Sequence, residues 1–317
     1  MQKELIMFQL SIREMKPSAQ LLFAALVLIT CGLVISSIGM ALSWAIYGFN
    51  LSELEHIMQD LSDPEHIAAL KFIQTTQAIG VFIIPPFIIA WMIHGEPSVY
   101  LKYNKRPDLK MALAAVAIVF CANPLINFLN ELNAQLSLPD WLSSVQQWMR
   151  NSEDQATKIT EAFLATTNLS GVVKNVLMIG VLPAIGEELL FRGVVQQLLK
   201  RIYKNSHAAI WIAAALFSAL HLQFFGFLPR LILGAMFGYM LEWSGTLWLP
   251  MIAHFVNNAT AVIAFGLVKD GTITANLDKT GTMADNSSSL VILSAVLLAL
   301  LFRFLYQNRE ASQAQTS

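Results

Sequence analysis

Residues 17–52 read PSAQLLFAALVLITCGLVISSIGMALSWAIYGFNLS, and this stretch contains no Asp, Glu, Lys or Arg. A helix that crosses the hydrocarbon core of a bilayer needs about 20 mostly apolar residues. The apolar core of a cleaved signal peptide has only about 7–15 residues and ends at a small-residue cleavage site. We therefore expect this stretch to be retained as a transmembrane helix near Gln20–Tyr47.

The composition of the whole chain points the same way. Its 317 residues are 56% hydrophobic and 13% charged, whereas soluble domains have about 25% charged residues. The net charge of -1 creates no field that would attract nucleic acid, and no nucleic-acid partner is expected. The two cysteines, Cys31 and Cys121, lie in apolar runs and are expected to act as small hydrophobic side chains rather than as a disulfide.

Seven more apolar runs follow the first one. The expected spans are Gln20–Tyr47, Phe72–His94, Met111–Leu129, Gly171–Lys200, His207–Phe225, Leu228–Trp243, Leu247–Val268 and Leu290–Leu305. No internal repeat is visible in the sequence. The sequence predicts an all-α polytopic membrane protein, a bundle of about eight transmembrane helices in a lipid bilayer.

Lys and Arg residues indicate the orientation of these helices, because cytoplasmic loops carry an excess of them. They concentrate before the first run, after the second and fourth runs, and at the C-terminal end, whereas residues 50–67 contain five acidic residues and no Lys or Arg. The alternation places both termini in the cytoplasm, and a bacterial inner membrane is the expected location. The expected organisation is a cytoplasmic segment at 1–18, a transmembrane bundle at 19–306 and a cytoplasmic tail at 307–317.

Two loops between the runs alternate apolar and polar residues at helical spacing. They are Leu51–His66 and Leu136–Phe163. Each can be an amphipathic helix at the membrane surface or an irregular loop, and the sequence leaves both interpretations open.

Ionisable side chains inside the fourth run are candidates for function, because such groups are costly in a bilayer. The sequence from Gly186 reads GEELLFRG. Glu188 and Arg192 are four residues apart, so they share one helix face and can form an ion pair. Glu187 lies about 100° further around the helix and remains available as a general base. Pro183 and Gly186 can open the helix locally and admit water.

Two later runs carry polar residues at the same spacing of four. Phe217 precedes His221 in the fifth run, and His254 precedes Asn258 in the seventh. With a rise of about 1.5 Å per residue, these side chains and Glu187 reach compatible depths. Each has a structural alternative, such as a histidine bonded to a carbonyl or an asparagine joining two helices. Their joint occurrence predicts one polar site within the bilayer.

These motifs together resemble those of the CPBP intramembrane proteases, which include the type II CAAX prenyl endopeptidases and the bacteriocin-processing or Abi proteins. The family motifs EExxxR, FxxxH and HxxxN are matched in order by Glu187-Glu188-Leu-Leu-Phe-Arg192, Phe217-Ser-Ala-Leu-His221 and His254-Phe-Val-Asn-Asn258. The resemblance covers about Val176–Ala261, and it implies a CPBP-like core at about 171–268.

The resemblance implies an intramembrane endopeptidase whose partner is a membrane-associated protein or peptide substrate. It also implies a role for each matched residue. Glu187 and His221 would activate water, His254 and Asn258 would stabilise the oxyanion, and Glu188 and Arg192 would hold the site in shape.

A metal remains an alternative at this site, because one glutamate with two histidines is a zinc-binding set in some hydrolases. The chain contains no HExxH sequence, the usual zinc-protease helix, and no GxSxG sequence, the nucleophile elbow of serine hydrolases. We therefore expect a glutamate mechanism without a cofactor, with zinc as the alternative.

Two other functions remain open from the sequence. A transporter could use the buried charges to line a polar path, although transporters are commonly built from internal repeats. A catalytically silent scaffold or immunity protein could keep the same fold. The complete set of Glu187, His221, His254 and Asn258 favours the protease.

The predicted topology can be tested with single cysteines. In a protein whose Cys31 and Cys121 are replaced, cysteines at Ser62 and Lys105 should be labelled from opposite sides of the membrane by an impermeant maleimide. Labelling of both positions from one side would contradict the predicted alternation.

Overall fold

The computed structural model describes residues 2–49, 51–166, 168–272, 282 and 288–309. Every regular element within these residues is helical. Seven of the helices are long and apolar enough to cross a membrane. The predicted class, an all-α polytopic membrane protein, is confirmed.

The main helices are α1 Gln2–Glu14, α2 Pro17–Tyr47, α3 Leu54–Gln59, α4 Pro64–Ile93, α5 Leu109–Ala134, α6 Ser143–Leu164, α7 Leu169–Tyr203, α8 Ser206–Ala219, α9 Phe227–Ser244, α10 Trp248–Lys269 and α11 Ser288–Gln307. Most of them follow the apolar runs, and three shorter or more polar ones, α1, α3 and α6, lie between or before these runs. Helix α4 contains a π-helical turn at Ile79–Ile83, and α7 contains two, at Val176–Val181 and Phe191–Val195. Such turns often mark functional sites.

Helix α4 begins eight residues before the predicted second run. Pro64 occupies its first turn, and the Asp63 side chain accepts a hydrogen bond from the backbone N–H of Glu65 at 2.8 Å. Both features favour a helix start. Polar residues such as Lys71 lower the hydropathy of this first part of α4, so the apolar run did not include it. The Lys71 ammonium donates to the Phe163 carbonyl and to Asn175 Oδ1, each at 2.8 Å.

The predicted fifth span is wrong in length. Helix α8 has 14 residues and ends at Ala219, so it is about 21 Å long at 1.5 Å per residue, shorter than an ordinary membrane crossing. The chain has to turn back into α9 at Phe227. His221 therefore lies in the connection after α8 and not within a helix.

The two ambiguous loops contain helix. Residues 51–66 form a short 3₁₀ turn, helix α3 and the start of α4, and most of residues 136–163 forms α6. Much of the predicted loop at 269–289 and the predicted tail after Arg309 lie outside the described residues.

Glycines allow the helices around α7 to approach closely. A Cβ atom at Gly186 would lie 2.7 Å from Phe82 Cβ in α4. In α9, Gly234 and Gly238 form a GxxxG pattern, which favours close helix contact in membranes. A Cβ at Gly238 would lie 2.8 Å from Ile210 Cγ2 in α8.

The contact at Gly186 predicts a stability difference between two glycines of α7. Gly186→Ala should destabilise the fold by about 1–3 kcal/mol, because overpacking forces helices apart. Gly180→Ala is the matched control, since its nearest neighbours would lie 3.7 Å away. The free energy of unfolding of both variants can be measured in mixed detergent micelles. Equal losses of this free energy would show that the α4–α7 contact does not limit packing.

Candidate active site

The Glu188 carboxylate lies at the centre of the polar site. Its side chain is 0% exposed, and Oε1 accepts hydrogen bonds from Arg192 Nη1 and His254 Nδ1, each at 2.8 Å. Removing a charge from water costs several kcal/mol unless partners compensate for it. The predicted Glu188–Arg192 pair is present, and His254 joins it from α10.

Arg192 connects this pair to α9. Its side chain is 1% exposed, and Nη2 donates to the Gly234 carbonyl at 2.9 Å. The guanidinium also lies over the rings of Phe217 and Phe237, with centroids 4.7 and 5.4 Å from Cζ. Cation–π contacts of this kind strengthen when they are shielded from water. The guanidinium is thus held by a carboxylate, a carbonyl and two rings.

Polar contacts between α7 and α9 recur at each of the next two helical turns. Four residues after Arg192, Gln196 Nε2 donates to the Gly238 carbonyl at 3.1 Å. Four residues later again, Lys200 Nζ lies 2.6 Å from Glu242 Oε1. This series was not predicted from the sequence, although the GxxxG spacing of α9 is a signal for it.

Glu187 has a different environment from Glu188. Its side chain is 13% exposed, and Oε2 lies 3.8 Å from His254 Nε2, which is too far for a hydrogen bond. Within the described part of the chain Glu187 forms no hydrogen bond. It lines a cavity of about 690 Å³ whose walls come from α2, α4 and α7 and from Leu220. We call this space the Glu187 cavity.

His221 lies beside this cavity, two residues after α8 ends. Its Nδ1 contacts the Phe217 carbonyl at 2.8 Å. A carbonyl can only accept, so Nδ1 carries the hydrogen and the neutral ring presents a lone pair at Nε2. His221 interacts electrostatically with Glu187 and His254. The next residue, Leu222, has φ 52, a strained value for a residue with a Cβ and one that recurs at functional sites.

The His254 ring is fixed on both sides. It stacks on Phe237 with a centroid distance of 5.1 Å and an interplanar angle of 20°. Because a carboxylate accepts, His254 Nδ1–H donates to Glu188, and Nε2 then faces Glu187. Phe237 was not predicted as a site residue, because nothing in the sequence distinguishes it from other aromatic residues in an apolar run.

Asn258 is committed to a contact between two helices. Its Nδ2 donates to the Ile179 carbonyl at 3.1 Å, and its Oδ1 accepts from Asn257 Nδ2 at 3.1 Å. Pro183, four residues after Ile179, has no N–H to donate to that carbonyl. Asn258 supplies a donor there and keeps one N–H for other partners.

The site residues predicted from the sequence differ in how they are placed. Glu187 lines the Glu187 cavity, whereas His221, His254 and Asn258 are not among its lining residues. His254 Nε2 nevertheless lies 3.8 Å from Glu187 Oε2, and His221 interacts electrostatically with Glu187. That these four residues act as one site stays a prediction.

The described residues do not form a zinc set. Among them, no group of three or more His, Cys, Asp and Glu side chains is arranged to hold a metal ion. The Nδ1 atoms of His221 and His254 are already engaged with Phe217 and Glu188.

Residues 169–260 match the family model described as type II CAAX prenyl endopeptidase Rce1-like. This segment is similar to that family. It contains all of the candidate site residues, and the resemblance predicted from the three motifs is confirmed over this part of the chain. The matched segment extends from the start of α7 into α10.

A curated relative from Bacillus subtilis (strain 168), the uncharacterized protein YpbD, is 33% identical over 91 residues. The match covers 27% of this chain and 43% of that protein, so the chain spans less than half of the relative's length. No solved structure matched the chain.

The different surroundings of the two glutamates predict different effects on stability. Glu188→Gln should cost about 3–5 kcal/mol, because it leaves Arg192 buried without its anion. Glu187→Gln is the matched control and should change stability by less than about 0.5 kcal/mol, since no hydrogen bond is lost. The free energy of unfolding of both variants can be measured in mixed micelles. Equal losses of this free energy would contradict the different roles of the two glutamates.

Proposed function

We propose that this protein is an intramembrane endopeptidase that hydrolyses a peptide bond of a membrane-associated protein or peptide. The observation that carries the proposal is Glu187, a carboxylate without a hydrogen bond in the described chain that faces a cavity beside two histidines. The match to a prenyl endopeptidase family supports the same reaction class.

In the proposed reaction, Glu187 is the general base. Water in the Glu187 cavity gives a proton to Glu187 while its oxygen bonds to the carbonyl carbon of the scissile peptide. The lone pair on His221 Nε2 accepts a hydrogen bond from the second O–H of this water and so orients the water molecule. The proton on Glu187 then passes to the peptide nitrogen as the C–N bond breaks, so base and acid are one residue.

The negative charge on the carbonyl oxygen needs donors where it develops. His254 Nε2 and the remaining N–H of Asn258 are the proposed donors. Since Glu188 already accepts from His254 Nδ1–H, His254 has to carry both ring protons in order to donate through Nε2. Glu188 and Arg192 keep the ring in place.

The physical state of the substrate follows from its surroundings. Peptide groups within a transmembrane helix are already hydrogen-bonded to one another, so their carbonyls are poorly exposed to attack. We propose that the substrate enters as an extended, membrane-proximal segment near its terminus. Entry is from the cytoplasmic side, towards which α7 leads through Arg192 and Lys200.

The proposed cellular arrangement follows from the Lys and Arg pattern. The protein is placed in a bacterial inner membrane with residues 1–18 and 307–317 in the cytoplasm and the bundle at 19–306 between them. The reaction is proposed to need no metal.

The base role predicts a specific loss. Glu187→Gln should abolish proteolysis while the protein still folds, because Gln keeps the shape but cannot take a proton. Membrane peptidomes of cells with the wild type, Glu187→Gln and the exposed control Glu96→Gln provide the measurement. Products should disappear only in Glu187→Gln, and unchanged products in that variant would exclude Glu187 as the base.

The metal-free mechanism predicts the response to chelators. A strong chelator should leave the activity of the reconstituted protein intact, because the nucleophile is made by side chains alone. A complete loss that is restored by added zinc would contradict this mechanism and favour a site at His221 and His254.

A further inference from the structure

Helix α4 carries an uninterrupted polar segment inside the membrane. Residues 74–77 read QTTQ, and they begin about 15 Å from the N-terminal end of this helix. The two threonines are satisfied within the helix, since Thr75 Oγ1 donates to the Lys71 carbonyl at 2.7 Å and Thr76 Oγ1 to the Ile73 carbonyl at 2.8 Å.

The two glutamines differ from the threonines. Gln74 and Gln77 are exposed, and their amides form no hydrogen bond with any described residue. An amide that is left without a partner in an apolar environment costs roughly 1–3 kcal/mol by mutational measures. Polar groups retained at such a depth indicate a functional site.

Both glutamines line the Glu187 cavity. Apart from Thr75, the other described lining residues on α2, α4 and α7 are apolar or glycine, with Glu187 as the exception. Gln74, Gln77 and Glu187 therefore hold the uncommitted polar groups of the described cavity wall. The arrangement suits an occupant that is mostly apolar but has a row of hydrogen-bonding groups.

An extended peptide has this chemistry. Its backbone N–H and C=O groups need partners once they leave water, and each glutamine amide offers both a donor and an acceptor. Side chains three apart on a helix are separated by about 5–6 Å at Cβ. Groups on one edge of an extended chain repeat every two residues, or about 6.6 Å, a spacing that flexible glutamine side chains can match.

We propose that Gln74 and Gln77 bind the main chain of the extended substrate and hold it across the cavity for attack by water at Glu187. This inference rests on the proposed protease function and adds the surface that selects the substrate. Recognition through the main chain tolerates many side chains, and it rejects stable helices because their backbone groups are already paired.

The probe is a synthetic peptide that spans a cleavage site lost in Glu187→Gln membranes. With wild-type protein reconstituted in vesicles, Gln74→Leu and Gln77→Leu should each lower kcat/KM about tenfold, the size of a lost hydrogen bond, chiefly through KM. Gln59→Leu is the matched control, since this glutamine is exposed on α3, outside the cavity, and it should leave kcat/KM unchanged.

Ester analogues of the peptide separate binding from folding. An ester in place of one amide removes a single backbone N–H, and at one position it should lower kcat/KM of the wild type about tenfold. The same ester should cause no further loss in the glutamine variant that faces it. This non-additivity is absent if the leucine only disturbs the fold.

The outcomes distinguish the two proposals. If no product depends on Glu187, the proposed function fails and this inference fails with it. If cleavage depends on Glu187 but both leucine variants keep wild-type kcat/KM, only the role of the glutamines is wrong. If the leucine variants unfold, the ester series on the wild type decides, and insensitivity at every position overturns the inference.

Discussion

The buried carboxylate of Glu188 is the constraint on which the site depends. In a low-dielectric interior a single charge is costly, and a charge that meets both a guanidinium and an imidazole is compensated. The contacts of Oε1 with Arg192 and His254 therefore fix the relative position of α7 and α10. They also set the direction of the His254 ring, so that Nε2 faces Glu187. The surroundings of Glu187, the proposed base, are thus a consequence of the pairing of Glu188.

This pairing requires close helices, and the small residues of α9 supply the space. The Gly234 carbonyl accepts from Arg192, and a Cβ atom at Gly234 would lie 3.1 Å from Ala214 Cβ in α8. Phe217 and Phe237 close the site around the guanidinium and exclude water from the ion pair. Asn258 completes the framework at the carbonyl that Pro183 cannot reach. A polar site is in this way built into an otherwise apolar bundle with most of its donors and acceptors satisfied.

Hydropathy and helical spacing predict much of this arrangement. The bilayer requires long apolar runs, so most spans and the Glu188–Arg192 pair can be derived from the sequence. The start of α4 could not be predicted from the sequence, because Lys71 is stabilised by Asn175 and Phe163, which are distant in the chain. The end of α8 before His221 depends on the turn towards α9. The contact of His254 with Glu188 depends on helix packing, which a periodic pattern does not contain.

The two adjacent glutamates are proposed to have separate tasks: Glu188 holds the structure, and Glu187 is available for chemistry. Double-mutant cycles for stability with Arg192→Met test this separation most directly. The cycle with Glu188→Gln should give a coupling above about 1.5 kcal/mol, because the two side chains share a buried hydrogen bond. The cycle with Glu187→Gln should give a coupling of no more than about 0.5 kcal/mol, because Glu187 interacts with Arg192 electrostatically but shares no hydrogen bond with it. Couplings of similar size in both cycles would contradict the separation of roles.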